Sequence, residues 1–291
     1  MVDKFMTGTL IDGKSIAAGM EQSIKQDIET VVKKIGRKPK LLVILASPDE
    51  ASKIYVGAKK RKGEEIGIEV DINDLGTKAS SAEISRVVQK ANLDKSVDGM
   101  IVQLPLPSGI SGEGIIEQIN PNKDVDGLTP FNIGKLAKGG KPSHVPCTAM
   151  GIVQLIESTG LKIIGKNVTV VGRSNIVGKP VATLLLQRDA TVTICHSKTV
   201  DLGMECKHAD ILIAAIGRPS FITKEWIKDG AVVIDVGINR TADGITGDVD
   251  FLGAKEIAGF ITPVPGGVGP MTVINLMRNV VTAAKLGAGI E

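Results

Sequence analysis

Val168 to Pro180 reads VTVVGRSNIVGKP, and this stretch decides the fold. A short β-branched run is closed by Gly172, and Gly178 stands near the start of the helix that follows. A glycine at a strand-to-helix turn lets the backbone approach a phosphate. The helix N-terminus adds free N–H groups and a favourable dipole. Working outward, NVTVVG (Asn167 to Gly172), ATVTIC (Ala190 to Cys195), ILIAAIG (Ile211 to Gly217) and AVVIDVG (Ala231 to Gly237) form a series of four strands. Helical material lies between the first pair and after the third. Alternation at this spacing predicts an α/β fold with a Rossmann-like parallel sheet across residues 149–270.

The turn departs from the usual G-x-G-x-x-G spacing, because Arg173 and Ser174 follow the first glycine. An NAD-binding chain usually places an acid at the end of the second strand, where it accepts from the ribose 2′-hydroxyl. Here that position holds Cys195-His196-Ser197-Lys198, with no carboxylate. Neutral and basic groups there, with Arg173, suit a 2′-phosphate and therefore NADP. The plainer reading is an ordinary tight turn carrying a solvated arginine.

The first half alternates less regularly. LLVILA (Leu41 to Ala46) is an apolar run suited to a buried strand, and Ser52 to Gly67 reads as a helix ended by glycine. DGMIVQLPLP (Asp98 to Pro107) is a strand broken by prolines, which cannot continue a ladder. Residues 120–144 are rich in Pro, Gly, Lys and Asn and read as loop. A helix from Ala149 to Thr159 leads into the second half, and an amphipathic helix from Met271 to Leu286 closes the chain. With 291 residues the chain suits two domains. Residues 1–148, joined by the helix at 271–291, are expected to form one and 149–270 the other, with a substrate cleft between them.

Composition narrows the function. Hydrophobic residues make 43% and charged residues 23%, the balance of an ordinary globular chain. A net charge of +3 is too small to argue for nucleic acid or a membrane surface. Five Phe, one Trp and one Tyr leave few platforms for stacking bases. Three scattered cysteines (Cys147, Cys195, Cys206) make no disulfide framework and fit a reducing compartment. Cys195-His196 and Cys206-Lys207-His208 invite a metal, but no paired ligand spacing supports one, so none is expected. No segment approaches the length of a membrane span, and the default compartment is the cytoplasm.

Three stretches carry candidate chemistry. Ser52, Tyr55 and Lys59 are spaced to share one helix face. Lys59 opens the run Lys59-Lys60-Arg61-Lys62, which reads either as a solvated basic face or as neighbouring cations that favour a neutral Lys59 amine fit for proton transfer. Gln103 interrupts an apolar strand, and KDVDG (Lys123 to Gly127) sets Asp124 and Asp126 in a loop; an edge-strand side chain and a simple turn would explain both equally well. TPVPGGVGPMT (Thr262 to Thr272) combines stiffness with room for close backbone approach to a ligand, a stiff turn with no ligand explains it as well, and Pro270 suits the first turn of a helix.

Together these segments resemble one family, the bifunctional methylenetetrahydrofolate dehydrogenase/methenyltetrahydrofolate cyclohydrolases. The strings that carry the resemblance are Ser52-x-x-Tyr55-Val56-x-x-Lys59, DGMIVQLPLP, KDVDGLTPFNIGKL, PCT at Pro146 to Thr148, GRSNIVGKP, ATVTICHSKT, GAVVIDVGIN, GDVDF and TPVPGGVGPMT. They stand in family order from Ser52 to Asn279. Two departures are visible: Leu45-Ala46-Ser47-Pro48-Asp49-Glu50-Ala51-Ser52 replaces the family's Val-Gly-Asp-like approach, and Ala149 follows Thr148 where the family has proline.

The resemblance implies NADP-dependent oxidation of methylenetetrahydrofolate and hydrolysis of the methenyl product, within one-carbon metabolism that feeds purine biosynthesis. It implies Lys59 as the proton-handling residue, Gln103 as its hydrogen-bond partner, Tyr55 against the folate and Asp126 on the pterin ring. Ser52, Val102, Leu104 and the loop Pro265, Gly266, Gly267, Val268 and Gly269 would complete the folate site. Gly172, Arg173, Ser174, Ser197 and Ile238 would contact NADP, with Arg173 and Ser197 on the 2′-phosphate. A homodimer is implied in the same way. A Rossmann dehydrogenase acting on shikimate-like or amino-acid substrates, a one-activity relative and a catalytically silent nucleotide-binding protein remain alternatives.

Overall fold

The computed structural model describes residues 8–242 and 244–290. In chain order, β1 (Thr9–Leu10), α1 (Gly13–Ile35), β2 (Lys40–Leu45), α2 (Glu50–Ile66), β3 (Glu69–Asp74), α3 (Ser81–Leu93) and β4 (Gly99–Gln103) come first. Then follow α4 (Gly112–Ile116), α5 (Pro130–Ala137), α6 (Cys147–Ser158), β5 (Asn167–Val171), α7 (Gly178–Leu186), β6 (Thr191–Cys195), α8 (Leu202–Lys207) and β7 (Ile211–Ala214). The chain ends with β8 (Val232–Asp235), β9 (Asn239–Thr241), β10 (Gly244–Thr246), α9 (Phe251–Lys255), β11 (Phe260–Ile261) and α10 (Val268–Ala288).

Two compact units result. One takes the chain through Ala18 and then Thr148–Thr272; the other takes Gly19–Cys147 and Val273–Glu291. The expected first domain began at residue 1, and here the structure differs. Thr9 and Leu10 pair in parallel with Phe260 and Ile261, so the described residues 8–18 belong with the later unit. Two-residue strands leave no periodicity to read, which is why this pairing was not foreseen.

In the later unit a six-stranded sheet runs parallel throughout in the order β1-β11-β8-β7-β5-β6, with β9 and β10 as a separate antiparallel pair. β7 and β8 are buried along their whole length, as central parallel strands covered on both faces must be. Their side chains meet Val171, Cys195, Cys206, Val249 and Ile261 in one core. Cys195 and Cys206 are core thiols, and burial pushes that of Cys206 up to about 12. β6 is an edge strand and correspondingly exposed at Thr191, Thr193 and Ile194.

In the earlier unit a parallel sheet of order β3-β2-β4 packs its apolar side chains with Ile84, Val88 and Ile115. β3, EVDIND, was not anticipated. It is an edge strand with only Val70 fully buried, so it lacks the apolar run that marked β2. α10 begins at Val268, three residues before the expected Met271, because Pro270 fits a first turn that needs no N–H donor there.

Candidate active site

The polar cluster of the earlier unit is built by one helix face and one strand end. Along α2, Ser52, Val56, Lys59, Gly63 and Ile66 are buried, a stripe spaced by three and four residues. Lys59 lies on that stripe and is only 9% exposed, whereas Lys60 and Lys62 pair outside it with Glu64 and with Glu21 and Glu65. The run KKRK is therefore not one solvated face. Its first member points inward.

Lys59 Nζ donates to Gln103 Oε1 at 2.9 Å, and Gln103 Nε2 donates to the Leu104 carbonyl at 2.8 Å. The second bond fixes which end of the amide faces the lysine. Gln103 is the last residue of β4, in register with Leu45 of β2, and the chain turns away through a cis Leu104–Pro105 bond. Ser52 Oγ donates to the same Leu104 carbonyl at 3.3 Å and accepts from Ser47 Oγ at 3.0 Å. Ser47 thus ties the unusual loop before α2 to the helix, a role the sequence reading did not assign.

The KDVDG loop separates its two acids. Asp124 is buried and accepts from the N–H groups of Gly127, Leu128 and Thr129 and from Asn132 Nδ2, at 2.7 to 3.1 Å. It shapes the loop. Asp126 is half-buried, and its carboxyl is pushed up by burial while the Lys59 charge pulls it down. The Cys147 thiol lies against Asp126 and against the Val125 carbonyl at 3.2 Å; burial raises it far above the ordinary thiol range, so it is an inert S–H donor. Asn279 on α10 donates to the Val125 and Val145 carbonyls at 2.8 and 3.0 Å and pins the loop from below. No motif marked Asn279 beforehand. The structure therefore brings Ser52, Lys59, Gln103 and Asp126 together, with Tyr55 one turn before Lys59 and Val102 buried behind Gln103.

In the later unit the carboxyl ends of β5, β6 and β8 carry the expected nucleotide residues. Gly172 has φ 131°, and a side chain there would overlap the Ala215 carbonyl oxygen. A side chain at Gly178 would overlap the Gly172 carbonyl oxygen. Both glycines are required for the strand and helix to close on each other. Ser174 Oγ accepts from the N–H groups of Val177 and Gly178, supplying the cap that Val177 cannot. Arg173 and Ser197 are exposed at the strand ends, as is Ile238 at 45%. Residues 196–200 contain no carboxylate, and His196 Nδ1 accepts from the Lys198 N–H. The donor set fits a phosphorylated ribose better than a free 2′-hydroxyl.

The loop Pro265 to Gly269 is split by its own geometry. Pro265 follows a cis bond, Gly266 has φ 116°, and Val268 and Gly269 already belong to α10. Gly13, at the start of α1, packs so tightly that a side chain on it would overlap the Gly267 carbonyl oxygen. Asp12 holds that start by accepting from Lys14 and Ser15 N–H groups. These two residues support the loop and were not singled out from the sequence.

Fold and site together define a two-unit α/β enzyme with a nucleotide turn in one unit and a lysine–amide–carboxyl cluster in the other. The chain belongs to the tetrahydrofolate dehydrogenase/cyclohydrolase family, whose catalytic domain matches residues 11–126 and whose NAD(P)-binding domain matches residues 146–288. It is 49% identical to the bifunctional protein FolD of Halothermothrix orenii over 96% of this chain and 98% of that one. The FolD crystal structure from Campylobacter jejuni superposes with a TM-score of 0.92 at 41% identity, covering 96% of this chain and 99% of that one. The Trypanosoma brucei FolD complexed with NADP and an inhibitor gives 0.92 at 37% identity, covering 96% and 98%.

Proposed function

We propose that this chain oxidises 5,10-methylenetetrahydrofolate to the methenyl form with NADP and hydrolyses that product to 10-formyltetrahydrofolate. The observation that carries the reading is the buried Lys59 amine, set on Gln103 Oε1 at 2.9 Å beside Asp126. The earlier unit is the folate-binding catalytic one, and the later unit binds NADP.

NADP, when bound, supplies the hydride acceptor. The chain's own residues hold and orient the reactants. Arg173 and Ser197 take the 2′-phosphate, while Gly172, Ser174 and Ile238 line the nucleotide. Asp126 accepts from the pterin amino and ring N–H groups, and Tyr55 stacks on the folate. Ser52, Val102 and Leu104 line the folate; Pro265 to Gly269 are assigned to folate binding by the family resemblance alone. Hydrolysis adds water to the methenyl carbon, releases one proton and opens the ring to the formyl product. Lys59 accepts one proton from the attacking water and passes it to the ring nitrogen that leaves, while the carbinol hydroxyl gives up the proton that is released to solvent; Gln103 keeps the amine aimed. The protein acts in the cytoplasm as a homodimer, and its formyl product feeds purine synthesis.

The test is absorbance of methenyltetrahydrofolate: its appearance with NADP against NAD, then its decay. NADP is expected to be the better acceptor. Lys59→Ala is expected to abolish the decay and strongly impair the appearance. Persistent hydrolysis in that variant would show that Lys59 does not move the proton.

A further inference from the structure

The GDVDF string at Gly247 to Phe251 is left over once the nucleotide and folate residues are assigned. Its first acid, Asp248, is completely buried, and Asp235 at the end of β8 is buried beside it. Asp248 Oδ2 accepts from the N–H groups of Ile216 and Gly217 at 2.6 and 2.9 Å. Its Oδ1 accepts from the Arg218 N–H and from Asn239 Nδ2, both at 2.9 Å. Asp235 accepts from the N–H groups of Gly237, Asp248 and Val249 at 2.8 to 3.0 Å. Six backbone donors and one side-chain amide thus converge on two adjacent carboxylates.

There is no slack in this bracket. A side chain at Gly237 would overlap Asp248, and one at Gly247 would overlap Asp235. Two neighbouring buried acids are costly unless every oxygen is satisfied, and here every oxygen is. What they grip is specific. Ile238 sits between Gly237, held by Asp235, and Asn239, held by Asp248. The loop 216–218 continues directly from Ala215, whose carbonyl meets Gly172. The bracket therefore joins the exits of β7 and β8 to the turn that follows β5, the edge where a parallel sheet binds nucleotides.

We propose that Asp248 is a positioning residue for the nucleotide: through these bonds it sets the β7 and β8 exit loops against NADP without touching the cofactor itself. This rests on the NADP assignment above. Asp248→Asn keeps the shape but turns one acceptor oxygen into a donor facing two N–H groups. NADP titrated into the folate-free protein is expected to bind about tenfold more weakly, with a matching rise in KM for NADP. Hydrolysis of methenyltetrahydrofolate uses no nucleotide and is expected to stay within about twofold of the parent. A folded variant that loses both activities in parallel overturns the proposal. Unchanged NADP affinity overturns it too. Should Asp248→Asn not fold, Asn239→Ala removes one donor and spares the backbone set. It is expected to weaken NADP about threefold with hydrolysis unchanged, and no weakening there is equally fatal. If the parent protein lacked both folate activities, the functional reading would fail, while the NADP titration would still decide the role of Asp248.

Discussion

At the residue scale, both ends of the Gln103 amide are committed: oxygen to Lys59, nitrogen to the Leu104 carbonyl. Glutamate at this position would set an anion against the ammonium form of Lys59 and turn its second oxygen toward a carbonyl that needs a donor. Gln103→Glu is therefore expected to hold the lysine charged and cut hydrolysis at least about tenfold, more than it cuts substrate affinity. Steady-state kinetics with methenyltetrahydrofolate would read this, and a purely KM-directed effect would contradict it. Gln103 was legible in the sequence because an amide breaks an apolar strand, whereas Lys59 was marked by the face it shares with Ser52 and Tyr55 and by the family resemblance, the cationic run alone leaving its role open. Asp124 and Asp126 look alike in KDVDG; only the donors around Asp124 separate the loop builder from the half-buried acid. Asp248 gave no such sign, because three of its four partners are backbone N–H groups whose identity no string records.

At the element scale, the β5–α7 turn works by steric exclusion of side chains. Gly178→Ala would drive a methyl group into the Gly172 carbonyl, and backbone cannot swing aside as a flexible side chain does. The expected outcome is an α7 displaced from β5, NADP binding weakened about tenfold or more, and a stability loss of about 1 to 3 kcal/mol. NADP titration and urea melts would test both; wild-type affinity would remove the packing argument. Three of the four strands read in the later unit, β5, β7 and β8, are central and apolar on both faces, which made them legible; β6, at the edge, kept only its β-branched character. β3 could not be read, being polar on an edge, nor could β1 and β11, which hold only two residues each.

For the whole molecule, the buried acids shape the response to pH. Burial pushes Asp235 up to about 6, against its three backbone donors, and the neighbouring Asp248 charge adds to the rise. The unfolded chain titrates this acid near 3.8, so between about pH 4 and 6 the native state holds the extra proton. The contribution of Asp235 is thus fully present below that window and is lost as pH rises through it, up to about 3 kcal/mol. Asp94 and Asp210, which folding lowers, act in the opposite sense and weaken the fold as pH falls. Chemical denaturation from pH 4 to 7 should therefore show the stability difference between wild type and Asp235→Asn shrinking as pH rises. A difference that grows with pH would refute the assignment.

The chain leaves one unit for the other at Ala18, at Cys147 and again at Thr272. Neither unit is a single uninterrupted stretch, so synthesis cannot finish one before beginning the other. β1 is synthesised some 250 residues before its partner β11. The earlier unit is made up to Cys147 yet lacks Asn279 until the final helix is translated. A fragment cut at the midpoint would leave both halves short of a structural piece, which makes this protein a poor subject for dissection into separately expressed parts.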